Sequence, residues 1–196
     1  FKFIFMNRRS HESVFVHMNQ EYVLLGGWFW RLLGKRVFLW RNHKNGTWLT
    51  RCAVFFTHRV FFTSPDSFTA HFRKSIQMPV GIDMALFQSL VEERNEKSVL
   101  YIGRISPVKN IECLIESISI LVQKGIQCKV TVCGPVSDYA YYTKLQNLVS
   151  SRSVATNISF SGALLPENLP LVYNTNTVCV NMTASGSFDK TIFESI

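Results

Sequence analysis

The sequence lacks the signatures of several common protein classes. It contains no CxxC pair, no HxxxH or HExxH pair, and neither of the glycine-rich phosphate loops GxGxxG and GxxxxGK[ST]. These absences argue against a zinc or other metal site, a dinucleotide-dependent dehydrogenase and a P-loop nucleotidase. The longest nearly apolar stretch, residues 22–30, is far shorter than the ~20 residues that a membrane-spanning helix needs. We therefore expect neither a bound metal nor a transmembrane helix.

The cysteines indicate the cellular compartment of the protein, and the first residues indicate whether the chain is a piece of a longer one. The five cysteines form no recognisable pairs, and four of them lie in apolar runs, where a free thiol behaves as a small hydrophobic group. We interpret them as reduced and the protein as cytoplasmic. The chain does not begin with Met, and the charge order of its first residues does not fit a signal peptide. We expect it to be a piece of a longer protein.

Positive charge is concentrated in the first part of the chain. Residues 1–77 contain 12 basic and 3 acidic residues, whereas residues 78–196 contain 9 basic and 10 acidic residues. This asymmetry suggests an anionic partner, either membrane lipid or nucleic acid. Because no zinc spacing, RNP-like signature or dense basic run accompanies the charge, we predict no nucleic-acid partner.

Short apolar runs alternate with longer amphipathic segments, which is typical of βαβ units and a parallel sheet. The runs are mostly apolar, so we expect the predicted strands to be buried on both faces. Seven strands are predicted, over residues 13–17, 36–40, 59–63, 98–103, 129–133, 157–160 and 177–181.

Local patterns also predict helices. One stripe of apolar residues at helical spacing indicates a helix of about three turns that packs on a sheet. The stripe consists of Ile111, Leu114, Ile115, Ile118 and Val122. Further upstream, Ser64 is a cap-type residue followed by Pro65, so the strand ending at Thr63 is expected to pass directly into a helix.

A change in pattern near residue 80 predicts the domain organisation. Pro79 and Gly81 interrupt the alternation of strands and helices where the charge balance also changes. We predict a partial amino-terminal domain over residues 1–80, a linker over residues 81–96 and a partial carboxyl-terminal domain over residues 97–196.

The segment after the fourth predicted strand has the features of an anion-binding loop. Gly103 allows a tight turn, Pro107 suits the first helical turn, and the N–H groups there are expected to face outward at the positive end of a helix dipole. Arg104 and Lys109 flank the loop, one as a planar fork and the other as a point charge. Diphosphate is the natural ligand. The alternative is a pair of solvated basic residues in a βα loop.

Four further residues lie where a ligand could bind, and each has an ordinary alternative. Gly134 ends a strand and would let the backbone approach a ligand, although many such turns use glycine. Glu194 could accept both ribose hydroxyls, although a surface glutamate is commoner in a first helical turn. His17 and His43 lie near the carboxyl ends of strands, where doubly wound folds bind ligands, although structural or surface histidines are commoner.

Five segments, in this order, resemble motifs of the retaining family 4 glycosyltransferases of the GT-B fold. The first two are PVGIDMALF, similar to P-x-GID-x-x-x-F, and VLYIGRISPVKN, similar to GR-x-x-x-x-KG. The next two are VTVCGP, similar to x-x-G-x-GP, and ISFSGALLPENLPLVYN, similar to V-x-F-x-G-x-x-x-x-x-x-L-x-x-x-Y. The last is SGSFDKTIFESI, similar to EGFG-x-x-x-x-E. The resemblance covers essentially the whole chain.

The resemblance implies both a fold and an activity. The fold is α/β and GT-B-like, with two Rossmann-like parallel-sheet domains facing a cleft, both incomplete here. The activity is metal-independent transfer of a hexose, with retention, from a UDP- or GDP-sugar to a glycan or lipid-linked acceptor, as in cell-envelope polysaccharide synthesis. No cofactor is implied beyond the donor sugar nucleotide.

The resemblance also assigns site residues. Arg104 and Lys109 are placed on the diphosphate, Glu194 on the ribose, and the backbone near the strand-end glycines close to the nucleotide. FVHMN makes His17 the active-site histidine, and LWRNH places His43 behind the site or near the acceptor. The implied set is His17, Arg104 and Lys109 for catalysis, Gly103, Arg104, Lys109, Gly134, Gly162, Phe188, Lys190 and Glu194 for the donor, and His43 on the acceptor side.

The closing segment departs from the family pattern. The position eight before Glu194 is Gly186, where the family has a glutamate that contacts the donor sugar, and Ser187 and Asp189 replace the two glycines of GFG. Donor identity is therefore open. Two other functions remain as alternatives: a non-hydrolysing nucleotide-sugar epimerase and a non-catalytic module that binds a nucleotide sugar.

Residues 20–36 combine aromatic and basic side chains in a way that suits an anionic membrane surface. The residues are Tyr22, Trp28, Phe29, Trp30, Arg31, Lys35 and Arg36. This pattern predicts peripheral association with the inner leaflet, where many members of the family glycosylate lipid-linked acceptors. The alternative is that the apolar residues pack a helix against the amino-terminal sheet.

Overall fold

The computed structural model describes residues 2–88, 93–183 and 189–196. The described residues fall into two compact units, one over residues 2–80 and the other over the remaining residues. Each unit contains a four-stranded parallel sheet with helices packed on it.

The first unit is built on a sheet with strand order β1-β2-β3-β4. Its elements are α1 (Lys2–Met6), β1 (Ser13–His17), α2 (Gln20–Leu32), β2 (Arg36–Trp40), α3 (Trp48–Phe56), β3 (Arg59–Phe62), a 3-10 helix (Phe68–His71) and β4 (Ser75–Gln77). Val23 of α2 and Ala53 of α3 are fully buried against Val37 and Leu39 of the central strand β2. Burial of apolar side chains such as these, about 1.5–3 kcal/mol for each large one, holds the helices on the sheet.

The second unit is built on a sheet with strand order β7-β6-β5-β8. Its elements are β5 (Asn95–Ile102), a 3-10 helix (Pro107–Lys109), α4 (Ile111–Gln123), β6 (Lys129–Cys133), α5 (Tyr139–Ser151), β7 (Ile158–Gly162), a 3-10 helix (Pro166–Asn168), α6 (Leu169–Thr175), β8 (Asn176–Val180) and α7 (Lys190–Glu194). All three strand pairings are parallel, and β5 lies between β6 and β8. The carboxyl ends of β5, β6, β7 and β8 therefore meet along one edge of this sheet.

The predicted strands are all present, with small differences at their ends. Three of them, β1, β2 and β6, have the predicted bounds. The helix predicted from the apolar stripe is confirmed as α4, which buries Ile111, Leu114, Ile115 and Ile118. β5 begins at Asn95, inside the segment predicted as a linker.

Two features of the first unit differ from the sequence predictions. The prediction that a helix begins at Pro65 is wrong. The N–H groups of Thr63 and Ser64 donate to the side-chain oxygen of Asn42 at 3.3 and 2.9 Å, which holds the chain in a turn there. A 3-10 helix begins only at Phe68, capped by Ser67. The edge strand β4 was not predicted, because its three residues are too few to show the apolar run that marks the other strands.

The five cysteines are free thiols, and Cys128 and Cys133 are buried. None of the helices in the described part of the chain combines the length and the apolar character needed to cross a bilayer.

Candidate functional site

The loops after β5 and β6 are joined to each other beyond the ends of the strands. The Gly103 N–H donates to the carbonyl of Cys133 at 2.9 Å, and the Ile105 N–H donates to the carbonyl of Pro135 at 2.9 Å. Ile105 and Val136 then form a further parallel bridge. The N–H groups of Gly103 and Ile105 are thus used inside the protein, contrary to the expectation that the N–H groups of this loop face outward.

Gly134 is required by the close approach of these two loops. Its φ of +150° lies in a region that L side chains rarely adopt, and a Cβ atom there would lie 1.9 Å from the carbonyl oxygen of Gly103. The Gly134 N–H donates to the carbonyl oxygen of Gly162 at 2.8 Å, so the end of β7 is tied to the same place. Three strand ends are held together by main-chain contacts.

These strand ends line a cavity of about 140 Å³ at the carboxyl edge of the sheet. Its walls include Gly103, Arg104, Gly134 and Leu169. Arg104 is exposed, and within residues 2–88, 93–183 and 189–196 it makes no hydrogen bond or ion pair. Its guanidinium is therefore available to an anion. The structure brings Gly103, Arg104 and Gly134 to one cavity, with Gly162 directly behind Gly134.

Lys109 lies in a separate polar cluster at the same edge. It ends the 3-10 helix ahead of α4, and its side chain is only 12% exposed. Its ammonium group forms an ion pair with Asp189 and donates to the hydroxyl of Thr183 at 3.1 Å. It does not line the cavity beside Arg104.

Asp189 accepts three hydrogen bonds on one carboxylate oxygen. The donors are Lys109, the Thr183 hydroxyl at 2.6 Å and the Asn181 amide at 2.9 Å. Burial by itself would raise the pKa of Asp189, but the hydrogen bonds from Lys109, Thr183 and Asn181 outweigh it and hold this pKa below its usual value. Asp189 is therefore a carboxylate at neutral pH.

Tyr101 lies beneath this edge with its hydroxyl unsatisfied. The residue is 1% exposed, and its hydroxyl finds no hydrogen-bond partner in the described part of the chain. Burial and the charge of Asp189 raise its pKa well above the usual range. A buried polar group without a hydrogen-bond partner destabilises the folded state. A water molecule or a ligand group that forms a hydrogen bond with this hydroxyl would remove that cost.

Glu194 does not line the cavity beside Arg104. Its side chain is 7% exposed, and it forms an ion pair with Lys190 at 3.1 Å. The Tyr173 hydroxyl donates to its other oxygen at 3.3 Å. Glu194 lines a second cavity of about 390 Å³ within the same unit, together with Met84, Tyr173 and other residues. Both predicted donor residues of this helix, Lys190 and Glu194, are thus paired with each other.

The two candidate histidines follow neighbouring strands of the first sheet. His17 ends β1, is exposed, and lies with its ring centre 6.2 Å from that of Trp40. His43 follows β2, is exposed, and its Nδ1 lies 3.1 Å from the N–H of Asn45. The predicted donor residue Phe188, together with Gly186 and Ser187, lies outside the described residues.

Part of the polar cluster around Lys109 was not predicted from the sequence. Asn181 and Thr183 follow β8 directly, and the Thr183 N–H donates to the Asn181 side-chain oxygen at 2.9 Å, which orients the Asn181 amide toward Asp189. Polar side chains just after a strand of a parallel sheet were the available signal, since ligands bind outside the carboxyl ends of such strands. No motif included them.

Comparison with known proteins identifies the family. Residues 84–188 match the family model of the glycosyl transferases group 1. The chain belongs to this family. A curated relative of this group 1 transferase is the alpha-monoglucosyldiacylglycerol synthase of Streptococcus pneumoniae, which is 24% identical over 133 residues. That alignment covers 61% of this chain and 30% of the relative.

Solved structures show that the fold is GT-B. HepE from Anabaena, solved with UDP and glucose, has a TM-score of 0.78 and 15% identity, covering 99% of this chain and 59% of that chain. Sucrose-phosphate synthase from Thermosynechococcus elongatus has a TM-score of 0.82 and 16% identity, covering 98% and 56%. The group 1 transferase therefore spans little more than half the length of these neighbours, and its alignment with the curated relative covers 30% of that protein.

Proposed function

We propose that this protein transfers a hexose from a UDP- or GDP-sugar to a glycan or lipid-linked acceptor with retention of configuration. The observation that carries the proposal is the meeting of Gly103, Arg104 and Gly134 at one cavity on the carboxyl edge of the second sheet. Ligands of open parallel sheets bind at this edge. An exposed guanidinium such as that of Arg104 can bind a diphosphate through two parallel N–H···O hydrogen bonds.

The chemistry needs positive charge where negative charge develops on the departing diphosphate. Arg104 supplies one fixed charge at the cavity, and Lys109 supplies a second once it is released from Asp189. Oriented charges of this kind stabilise the leaving group without a proton transfer. His17 is proposed as a catalytic residue and His43 as a residue of the acceptor side. Glu194 is proposed to bind the ribose, and Gly162, Phe188 and Lys190 complete the proposed donor set. No metal ion is proposed.

The names of similar proteins support a sugar nucleotide as ligand. HepE was solved with UDP-glucose, and pneumococcal GtfA, an O-GlcNAc transferase, was solved with UDP and GlcNAc. The curated relative, according to its name, makes alpha-monoglucosyldiacylglycerol. These names favour UDP over GDP as the first donor nucleotide to be examined.

A ligand screen tests the proposal. The melting temperature of the full-length protein is measured alone and with UDP, GDP, ADP and their sugars. A ligand at 100 times its dissociation constant stabilises the folded state by about 2.7 kcal/mol, which is readily detected as a rise in melting temperature. Stabilisation by UDP or GDP but not by uridine or guanosine supports the diphosphate site. No stabilisation by any nucleoside diphosphate would contradict it.

A second candidate function is a non-catalytic module that binds a nucleotide sugar. Three charged residues proposed for the donor already have internal partners, because Lys109 pairs with Asp189, and Lys190 and Glu194 pair with each other. Product analysis separates the two functions. Tight UDP binding without sugar transfer or donor hydrolysis would favour the module.

Association with an anionic membrane remains a proposal for the first unit. α2 buries Val23, Gly26 and Gly27, but Leu25 and Leu32 on its other side are 65% and 75% exposed. Arg31 is exposed beside them. Since each basic residue near an anionic surface contributes about 1 kcal/mol, co-sedimentation with anionic vesicles should exceed that with neutral vesicles and fall at high salt. Equal binding to both kinds of vesicle would contradict the proposal.

A further inference from the structure

The carboxylate of Asp189 is bound as an external anion would be bound. A single oxygen of Asp189 receives the ammonium group of Lys109, the hydroxyl of Thr183 and the amide of Asn181. One charged and two neutral donors around one oxygen are the usual surroundings of a phosphate or carboxylate ligand in a protein. Here the occupant is a side chain of the same chain.

The position of this cluster is also that of a ligand site. Lys109 follows β5, and Asn181 and Thr183 follow β8, which is the strand paired with β5. The donors thus come from two adjacent strand ends at the carboxyl edge of the sheet, where parallel sheets bind their ligands. The Tyr101 hydroxyl is buried at the same edge beside Gly103, where a Cβ atom would lie 2.8 Å from it, and it has no hydrogen-bond partner among the described residues, so it is a second sign that a polar group binds at this edge.

Lys109 is not free to neutralise a phosphate while Asp189 holds it. Its side chain is 12% exposed and that of Asp189 is 21% exposed, so the pair is only weakly screened by water. A phosphate group brought to Lys109 would also meet the negative charge of Asp189. A nucleoside diphosphate can therefore use Lys109 only after the carboxylate has moved away.

We propose that Asp189 is a built-in competitor that occupies the Lys109 anion site and sets how tightly the protein binds a nucleoside diphosphate. The inference rests on the proposed function, in which Lys109 contacts the donor diphosphate. If a site is open in only a fraction of the molecules, its apparent affinity equals the affinity of the open site multiplied by that fraction. Removing the negative charge opens the site in all molecules and removes the repulsion.

The test is a double-mutant cycle on the full-length protein, with UDP affinity measured by isothermal titration calorimetry. Asp189→Asn keeps the size of the side chain and removes its charge, so we expect it to bind UDP about tenfold more tightly, which is the equivalent of about 1.4 kcal/mol. Uridine should bind both proteins equally. In a Lys109→Gln background, the Asp189→Asn change should give a clearly smaller gain, because only the repulsion between Asp189 and the phosphate is then removed and no lysine is released.

The controls address charge and folding. Asp66→Asn removes the same charge from an exposed residue of the first unit whose side chain makes no hydrogen bond in the described part of the chain, and it should leave UDP affinity unchanged. Asp189→Ser, which keeps a hydroxyl for the neighbouring donors, is the second variant if Asp189→Asn folds poorly. Inorganic diphosphate is a second probe, expected to gain affinity as UDP does.

The outcomes separate this inference from the proposed function. If the unaltered protein binds UDP and both Asp189 variants bind it equally or more weakly, the competitor role is wrong and the proposed function stands. If no form of the protein binds UDP, GDP or inorganic diphosphate, both are wrong.

Discussion

The close contact between the loops after β5 and β6 makes a quantitative prediction for Gly134→Ala. Gly134 has a φ of +150°, and a Cβ atom there would lie 1.9 Å from the Gly103 carbonyl oxygen and 2.7 Å from its carbon. The unfavourable backbone conformation costs about 1–3 kcal/mol. Because the clashing atoms belong to the backbone, a rotamer change cannot relieve the clash, and forced backbone shifts add about 1–3 kcal/mol.

Gly125→Ala is the matched control for this change. Gly125 lies in the same unit, with a φ of +78°, and a Cβ atom there would meet nothing within 4 Å. This variant therefore carries only the cost of a left-handed conformation, about 1–2 kcal/mol. We expect Gly134→Ala to lower the free energy of unfolding by about 1–3 kcal/mol more than Gly125→Ala does.

The choice of assay follows from the sequence. The four tryptophans are Trp28, Trp30, Trp40 and Trp48, so tryptophan fluorescence reports on the first unit. Urea unfolding that is monitored by far-ultraviolet circular dichroism reports on both units. Hydrogen exchange of the β6 amides reports on the second unit. Equal destabilisation by the two glycine variants would refute the argument that Gly134 is needed for close contact of the loops.

Three further predictions concern ligand binding and transfer. Arg104→Ala should weaken UDP binding about tenfold to a hundredfold and leave uridine binding nearly unchanged in calorimetry, since a charge-assisted contact is worth about 1.5–3 kcal/mol; equal losses for both ligands would refute a phosphate contact. Glu194→Gln should weaken UDP and uridine alike, because its proposed partner is the ribose, and unchanged discrimination against 2′-deoxyuridine would exclude that role. His17→Ala should reduce the transfer rate while UDP binding stays intact, with a smaller loss for His43→Ala; normal turnover in His17→Ala would remove His17 from the site.

The fold of this chain was predictable because its strands carry a strong local signal. Runs such as residues 36–40 and 129–133 are mostly apolar, which favours a strand. The prediction that the strands are buried on both faces is wrong for β2, which buries Val37 and Leu39 and leaves Phe38 and Trp40 half-buried. The turn at Ser64 was not predictable from neighbouring residues, because it depends on Asn42, which lies 22 positions away. Local capping rules cannot include such a contact.

The sequence predicted only those site residues whose position depends on the end of a single strand. Gly103 ends a predicted strand, Arg104 and Gly134 each follow one, and the parallel topology brings them to one cavity. The pairing of Lys109 with Asp189 joins positions 80 residues apart in the sequence, so it depends on the tertiary fold. The burial of Glu194 against Tyr173 likewise depends on α6 and α7 lying together. The assignments of the site residues and of the three sequence segments as domains and linker stay predictions.

Transfer of sugar is the most direct test of the central claim that this group 1 glycosyl transferase is a hexosyltransferase. The full-length protein is incubated with radiolabelled UDP-glucose or GDP-mannose and with glycan and lipid fractions of the cells that produce it. We expect label to enter one acceptor fraction with release of an equal amount of nucleoside diphosphate, and we expect Arg104→Ala to reduce both. If the protein binds the donor but releases no nucleoside diphosphate with any acceptor fraction tested, the claim that it is a hexosyltransferase is contradicted.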